Sequence, residues 1–112
     1  MQAYEKAKKR DYERKLAKME GRRLSKIHGI PFSIKDHINK KGAASHWGHF
    51  SQLFNKAKET NLAIQCLVND GAIPFVKSAA PFIPTLICDN PFSGDAKNPY
   101  NLERSTGGSS GG

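Results

Sequence analysis

The chain has 112 residues, a length that suits one domain and hardly two. Charged residues make up 25% of it and apolar residues 38%, a composition that excludes an extensively disordered chain. No apolar run approaches the roughly 18 residues of a membrane-spanning helix. Charged residues also stand near the N-terminus, where a secretion signal has its apolar core.

The two cysteines, Cys66 and Cys88, are too few for a disulfide framework or a metal cluster. We expect both to be reduced thiols in an intracellular protein. His46 and His49 have the i, i+3 spacing of metal ligands on a helix. However, Gly48 stands between them and neither carboxylates nor thiols are near in sequence, so a loop is predicted there and no metal site.

The net charge of +8 is concentrated at one end of the chain. Residues 1–26, which we treat as a basic helical lead-in, carry ten basic and four acidic residues. Tyr12, Leu16 and Met19 follow helical spacing and form a thin apolar stripe. Such a helix either contacts RNA, DNA or an anionic membrane, or lies on the surface with its stripe docked on a core. The charges lack the interleaved aromatic side chains of a stacking platform, which favours the second interpretation.

The middle of the chain alternates between strand and helix patterns. Residues 30–35 alternate apolar and other residues, which predicts a strand with Pro31 near its start. The pattern turns helical over residues 51–69, and Gly71 is a candidate left-handed C-terminal cap. Residues 72–76 then predict a short apolar strand. Strand, helix and strand in this order indicate an α/β fold with a mixed, largely parallel sheet flanked by helices.

The last third contains four prolines and predicts ordered loops over residues 79–101, with a short helix near residues 82–86. The chain then runs into GGSSGG at residues 107–112. By composition this is a flexible linker or an expression scar. Its functional interpretation is a loop whose glycines allow the backbone to approach a substrate, with a serine as nucleophile or proton relay.

Lys35 is the second candidate for chemistry. It lies near the carboxyl end of the predicted strand 30–35, where α/β folds build their sites. A poorly solvated lysine loses its proton more readily and can act as a general base. The alternative is a surface lysine that is solvated or paired with Asp36.

Residues 28–36 and the downstream GGSSGG together closely resemble the amidase signature family. The resemblance extends over residues 21–112 and includes further matches at residues 70–77, 88–91 and 98–102, in the family's order. The stretches 71–77 and 88–91 are most similar to its fatty-acid amide hydrolase branch. The resemblance implies the mixed α/β fold of that family and a hydrolase of amides or esters that needs no metal or cofactor.

The resemblance also implies a Ser–Ser–Lys triad. Lys35 matches the family's lysine, and Ser109 matches its relay serine, which the family holds on a cis peptide. Neutral lysine would draw a proton through the relay from a nucleophilic serine, which forms an acyl-enzyme. Ile83, Thr85 and Ser109 are the predicted substrate contacts. The remaining residues of the signature loop are Gly107, Gly108, Ser110, Gly111 and Gly112.

The family's nucleophile lies further along the chain than Gly112. We therefore expect residues 27–112 to be the N-terminal part of an amidase signature domain, inactive by itself. One alternative within the family is an amidotransferase-type amidase that acts on glutamine or glutaminyl-tRNA. Another, outside enzymes, is a non-catalytic module that binds through residues 1–26.

The expected partner is a small acyl amide or ester. The resemblance also allows contact with a membrane surface in the full-length protein. No specific nucleic acid partner is expected, and the sequence leaves the oligomeric state open.

The 112-residue chain is predicted not to react with a fluorophosphonate probe. The family pattern places the attacking serine after Gly112, and without it the covalent step is lost. In-gel fluorescence of the purified chain measures this directly. Labelling that is present in the native chain and disappears after heat denaturation would contradict the prediction.

Overall fold

The computed structural model describes residues 2–82 and 86–112. Two compact units share them: unit 1 comprises Met1–Ser33 and Leu62–Val76, and unit 2 comprises Ile34–Asn61 and Lys77–Gly112. The longer elements are α1 (Gln2–Met19), β1 (Pro31–Lys35), α2 (Leu62–Asn69) and β2 (Ile73–Ser78). The shorter ones are a 3₁₀ turn (Phe50–Gln52), β3 (Asp89–Asn90), β4 (Gly94–Asp95), β5 (Lys97–Asn98) and β6 (Asn101–Ser105).

The predicted α/β class is confirmed. Strands β1 and β2 form one two-stranded sheet with α2 between them in sequence. The Ile73 N–H donates to the Ile30 carbonyl, and the Asp36 N–H donates to the Ser78 carbonyl. Residue numbers rise together along both strands, so the pairing is parallel. The pairs β3–β4 and β5–β6 are antiparallel, which makes the sheet structure mixed.

The helix predicted over residues 51–69 is too long. Only Leu62–Asn69 is α-helical, after the 3₁₀ turn at Phe50–Gln52. Between them the backbone pairs with an earlier loop: the Ala57 N–H donates to the Ala43 carbonyl at 3.0 Å, and the Asn61 N–H donates to the Asn39 carbonyl at 2.9 Å. Long-range backbone pairing therefore replaces the i→i−4 bonds that the apolar periodicity predicts.

The predicted apolar stripe of helix α1 is buried only in part: Tyr12 and Met19 are 63% and 84% exposed, whereas Leu16 is half-buried. Polar contacts add to this packing. Arg10 Nη1 binds Glu13 Oε2 at 2.7 Å. Arg10 Nη2 donates to the Val68 carbonyl on α2 at 3.2 Å. Glu13 Oε2 also lies 2.9 Å from His28 Nε2. The ion pairs and hydrogen bonds on this face tie α1 to α2 and to the segment that leads into β1.

The buried apolar side chains are small in number and belong to both units. Unit 1 buries Ala17, Ile64, Ala72 and Ile73, and unit 2 buries Ile34, Ala80 and Cys88. Among the described residues, no helix combines the length and the apolar character needed to cross a membrane.

Gly71 ends α2 as predicted. Its φ is +95°, a conformation that favours glycine. The Gly71 N–H donates to Val68 and the Ala72 N–H to Leu67, so the last carbonyls of the helix are satisfied. The Gly71 carbonyl in turn accepts from the Gly29 N–H at 3.0 Å, which aligns the approach to β1 with the approach to β2.

Gly71→Ala is expected to lower the melting temperature more than Gly21→Ala. Both glycines have positive φ, so each substitution costs about 1–2 kcal/mol of backbone strain. A Cβ on Gly71 would also lie 2.4 Å from His28 Cδ2, whereas a Cβ on Gly21 meets nothing within 4 Å. Thermal unfolding followed by circular dichroism compares the two variants. Equal melting temperatures would contradict the close packing of His28 on Gly71.

Glu13 is expected to stabilise the fold only at pH values at which its carboxyl is ionised. The hydrogen bond from Arg10, and then that from His28, hold the pKa of the Glu13 carboxyl below its ordinary value of 4.5, while partial burial opposes them. A depressed folded-state pKa means stabilisation that is present above about pH 4.5 and lost as pH falls through the folded-state value.

Glu13→Gln should therefore melt below the wild type at pH 7, with the gap narrowing as the pH falls through the acidic range. Glu5→Gln is the matched control, because the Glu5–Lys8 pair is exposed at the surface and such pairs contribute little. A gap between wild type and Glu13→Gln that does not change with pH would contradict the ionic role of Glu13.

Candidate active site

Lys35 and Ser109 are brought into contact within unit 2. Lys35 is the last residue of β1, and its Nζ donates a hydrogen bond to Ser109 Oγ. The two residues are 74 positions apart in sequence, and both are partly buried. The peptide bond between Gly108 and Ser109 is cis. The two residues that the resemblance assigns to one triad therefore form a pair in space.

The strand geometry separates Lys35 from its neighbours. Side chains alternate between the faces of a strand, and Ile34 and Asp36 on either side of Lys35 are buried at 2% and 4% exposure. The Asp36 carboxylate accepts from the backbone N–H groups of His46, at 3.1 Å, and Trp47, at 2.7 Å. Asp36 thus has other partners, and among the described residues no ion pair joins it to Lys35. The interpretation of Lys35 as a surface lysine paired with Asp36 is wrong.

The glycine-rich loop is packed where a flexible linker would be free. A Cβ on Gly108 would lie 2.4 Å from the Leu86 carbonyl oxygen. A Cβ on Gly111 would lie 2.4 Å from Cys88 Sγ. The backbone there approaches its neighbours more closely than any side chain allows, which explains the glycines by packing. The composition-based interpretation as a linker does not describe this loop.

The two serines of the loop differ in environment. Ser109 is partly buried against Lys35, whereas Ser110 is exposed. Gly107, which opens the loop, has a φ of +81°. The Gly111 N–H donates to the Ala79 carbonyl at 3.2 Å, and a Cβ on Gly112 would lie 2.7 Å from Ser78 Cα.

Lys77 is a site residue that the sequence reasoning missed. Its Nζ donates to the carbonyls of Asp36, at 2.5 Å, and Ala44, at 2.7 Å, and to Ser45 Oγ at 2.7 Å. Burial lowers the pKa of the Lys77 ammonium, and the charge of the Asp36 carboxylate, 3.7 Å away, partly opposes this. The sequence feature that could have indicated Lys77 is its position directly after the apolar strand pattern of residues 72–76.

The predicted loop at His46 and His49 is observed. Trp47 and Gly48 form a turn with φ of +54° and +74°, and the Gly48 N–H donates to His46 Nδ1 at 3.1 Å. The His49 ring packs against the Phe82 ring with a centroid separation of 4.5 Å. Within residues 2–82 and 86–112, no cluster of three or more His, Cys, Asp or Glu side chains is arranged to hold a metal ion.

Two predicted substrate contacts, Ile83 and Thr85, lie outside the described residues. Of the predicted substrate-binding residues, the structure therefore places Ser109 alone. The short helix predicted near residues 82–86 also falls largely on the part of the chain that is not described.

Comparisons with known proteins agree on one family. The sequence matches the family described as Amidase over residues 1–112. It is 44% identical over 89 residues to the vitamin D3 hydroxylase-associated protein of Gallus gallus, covering 77% of this chain and 19% of that protein. It is 34% identical over 103 residues to fatty-acid amide hydrolase 1 of Sus scrofa, covering 91% of this chain and 17% of that protein.

A solved structure titled fatty acid amide hydrolase superposes with a TM-score of 0.80 at 33% identity, covering 96% of this chain and 19% of its own. The chain thus spans about a fifth of the length of these relatives. With a family match along the whole chain, and a fold shared with a solved member, the chain belongs to the amidase family.

Proposed function

We propose that Lys35 and Ser109 are the proton relay of a serine-type hydrolase that cleaves amides or esters of long acyl chains through an acyl-enzyme. The observation that carries this proposal is the hydrogen bond from Lys35 Nζ to Ser109 Oγ. It joins residues 74 positions apart at the carboxyl end of a strand of a parallel sheet, the edge at which α/β folds place their reactive groups.

The chemistry follows from the two functional groups. A serine hydroxyl both donates and accepts hydrogen bonds, so it can take one proton as it passes on another. A neutral Lys35 amine accepts the Ser109 proton, while Ser109 takes the proton of the nucleophilic serine that the resemblance implies. That serine then attacks the carbonyl carbon. The proton returns through Ser109 to the departing amine, which makes a poor leaving group leave as a neutral molecule.

The packing of the loop supports the same role. A relay works only when the two oxygens and the nitrogen keep hydrogen-bonding distances throughout the reaction. The glycines beside Ser109 bring the backbone against Leu86 and Cys88 without intervening side chains. Close packing of this loop holds Ser109 in place. Ser110, by contrast, is exposed.

The acyl substrate is proposed from the relatives. Fatty-acid amide hydrolase 1 of Sus scrofa and the superposed fatty acid amide hydrolase both bear names that specify fatty-acid amides. The amidotransferase-type alternative, with glutamine as substrate, uses the same relay, so the two substrates are compared in one experiment.

Lys35→Met and Ser109→Ala are expected to lower kcat for a primary long-chain acyl amide by about 10²–10⁴-fold, the usual contribution of general acid–base catalysis. The assay follows fatty-acid release by the full-length product of the gene that carries this sequence. Matched controls are Lys97→Met, a lysine half-exposed in a surface pair, and Ser51→Ala, an exposed serine; both should keep activity within about twofold.

Two outcomes would count against the proposal. If Lys35→Met were as active as Lys97→Met, Lys35 would have no role in the reaction. If ammonia were released faster from glutamine than from the acyl amide, the proposed relay would stand, and the proposed substrate would be glutamine instead of a long-chain acyl amide.

A further inference from the structure

Lys77 lies at the carboxyl end of β2, and protein oxygens surround its ammonium. The carbonyls of Asp36 and Ala44 and the hydroxyl of Ser45 accept hydrogen bonds from its Nζ, at 2.5, 2.7 and 2.7 Å. Its side chain is 18% exposed. The ammonium therefore has three protein oxygens as acceptors, which distinguishes Lys77 from a solvated surface lysine.

The Asp36 carbonyl that Lys77 binds belongs to the residue that directly follows Lys35. While Lys77 binds the Asp36 carbonyl, the Asp36 N–H donates to the Ser78 carbonyl at 2.9 Å. Consecutive residues of β2 therefore hold both backbone polar groups of Asp36. The Lys35 carbonyl itself accepts from the Ile38 N–H at 3.0 Å, which fixes the turn that follows the strand.

The same short stretch of chain holds the serine side of the pair. The Ala79 carbonyl accepts from the N–H of Gly111, two residues after Ser109, at 3.2 Å. Gly112 packs against Ser78 so closely that a Cβ would lie 2.7 Å from Ser78 Cα. Residues 77–79 thus bind the backbone beside Lys35 on one side and beside Ser109 on the other.

Charge adds to this geometry. The Asp36 side chain is 6% exposed, and its carboxylate lies 3.7 Å from Lys77 Nζ and 3.6 Å from His46 Nε2. A buried carboxylate requires hydrogen bonds or a cation, and Lys77 supplies the cation here. Removing Lys77 would leave the buried Asp36 carboxylate with two backbone N–H donors and the His46 ring as its partners, and without a lysine cation.

We propose that Lys77 is a positioning residue for the relay: it clamps the carboxyl end of β1 and the Asp36 carboxylate so that the Lys35 amine meets the Ser109 hydroxyl. The inference rests on the proposed function, since it takes the Lys35–Ser109 pair as the reacting one. Lys77 itself touches neither the substrate nor the migrating proton in this scheme.

Lys77→Met removes the donors and the charge and keeps most of the side-chain volume. In the full-length gene product we expect kcat for the long-chain acyl amide to fall about 10–100-fold with KM within about twofold, because a displacement of about 1 Å can cost about a hundredfold in rate. Lys77→Arg retains a cation with donors and should recover most of the loss. Lys97→Met is the matched control and should be unchanged.

Hydrogen–deuterium exchange provides a readout that does not depend on turnover. Peptides covering residues 35–38 and 109–112 should exchange faster in Lys77→Met than in Lys97→Met, while distant peptides keep their rates. If Lys77→Met does not fold, Ser45→Ala tests the positioning role in its place, because it deletes one acceptor of the ammonium and leaves the charge. Its kcat should fall about threefold at constant KM.

A Lys77→Met protein, or in its place Ser45→Ala, whose kcat matches that of Lys97→Met would overturn the positioning role. Full activity of Lys35→Met would instead overturn the proposed function, and this is a separate result because it does not involve Lys77.

Discussion

The burial of one carboxylate organises the candidate site. Asp36 is 4% exposed, and an ionised carboxylate in such a place is costly unless donors and a cation surround it. Two backbone N–H groups from the turn at residues 46–47 and the ammonium of Lys77 meet this requirement. Since Asp36 directly follows Lys35, the groups that satisfy the carboxylate also fix the backbone that carries the candidate base.

The glycine-rich loop is the counterpart of this arrangement. Its glycines let the backbone pack against Cys88 and Ser78, at separations that leave no room for a Cβ. Ser109 is thereby presented to Lys35 from a segment that packs closely against its neighbours. A closely packed loop on one side and a hydrogen-bonded strand end on the other suit the proposed proton relay, because proton transfer is sensitive to small changes in distance.

Several elements could be predicted from local sequence because local physics determines them. The alternation in residues 30–35 predicts β1, and Gly71 ends α2 with the positive φ that its position predicts. Apolar periodicity predicts a helix over residues 51–69, yet the backbone of residues 57 and 61 pairs with the loop at residues 39–43. Such pairing depends on which segments meet in space, and periodicity carries no information about it.

The same contrast holds for the site. Lys35 and Ser109 came from a resemblance in motifs, since the physics of either segment alone favoured a surface lysine and a linker. The apolar stripe on α1 predicts its docking only in part, because Tyr12 and Met19 are exposed while Arg10 and Glu13 make contacts with α2 and His28. Lys77 was missed, since its importance lies in three oxygens from residues 36, 44 and 45 that no spacing in the sequence brings together.

The sequence by itself determined the class of fold, the positions of the two parallel strands and the motifs that place the chain in its family. It could do so because side-chain periodicity, glycine punctuation and motif order are properties of neighbouring residues. Only the tertiary structure supplied the hydrogen bond between Lys35 and Ser109 across 74 positions, and the bonds from residues 77–79 to Asp36 and Gly111 beside them. Those contacts arise when parallel strands and a packed loop bring distant backbone donors and acceptors within hydrogen-bonding distance, which happens only on folding.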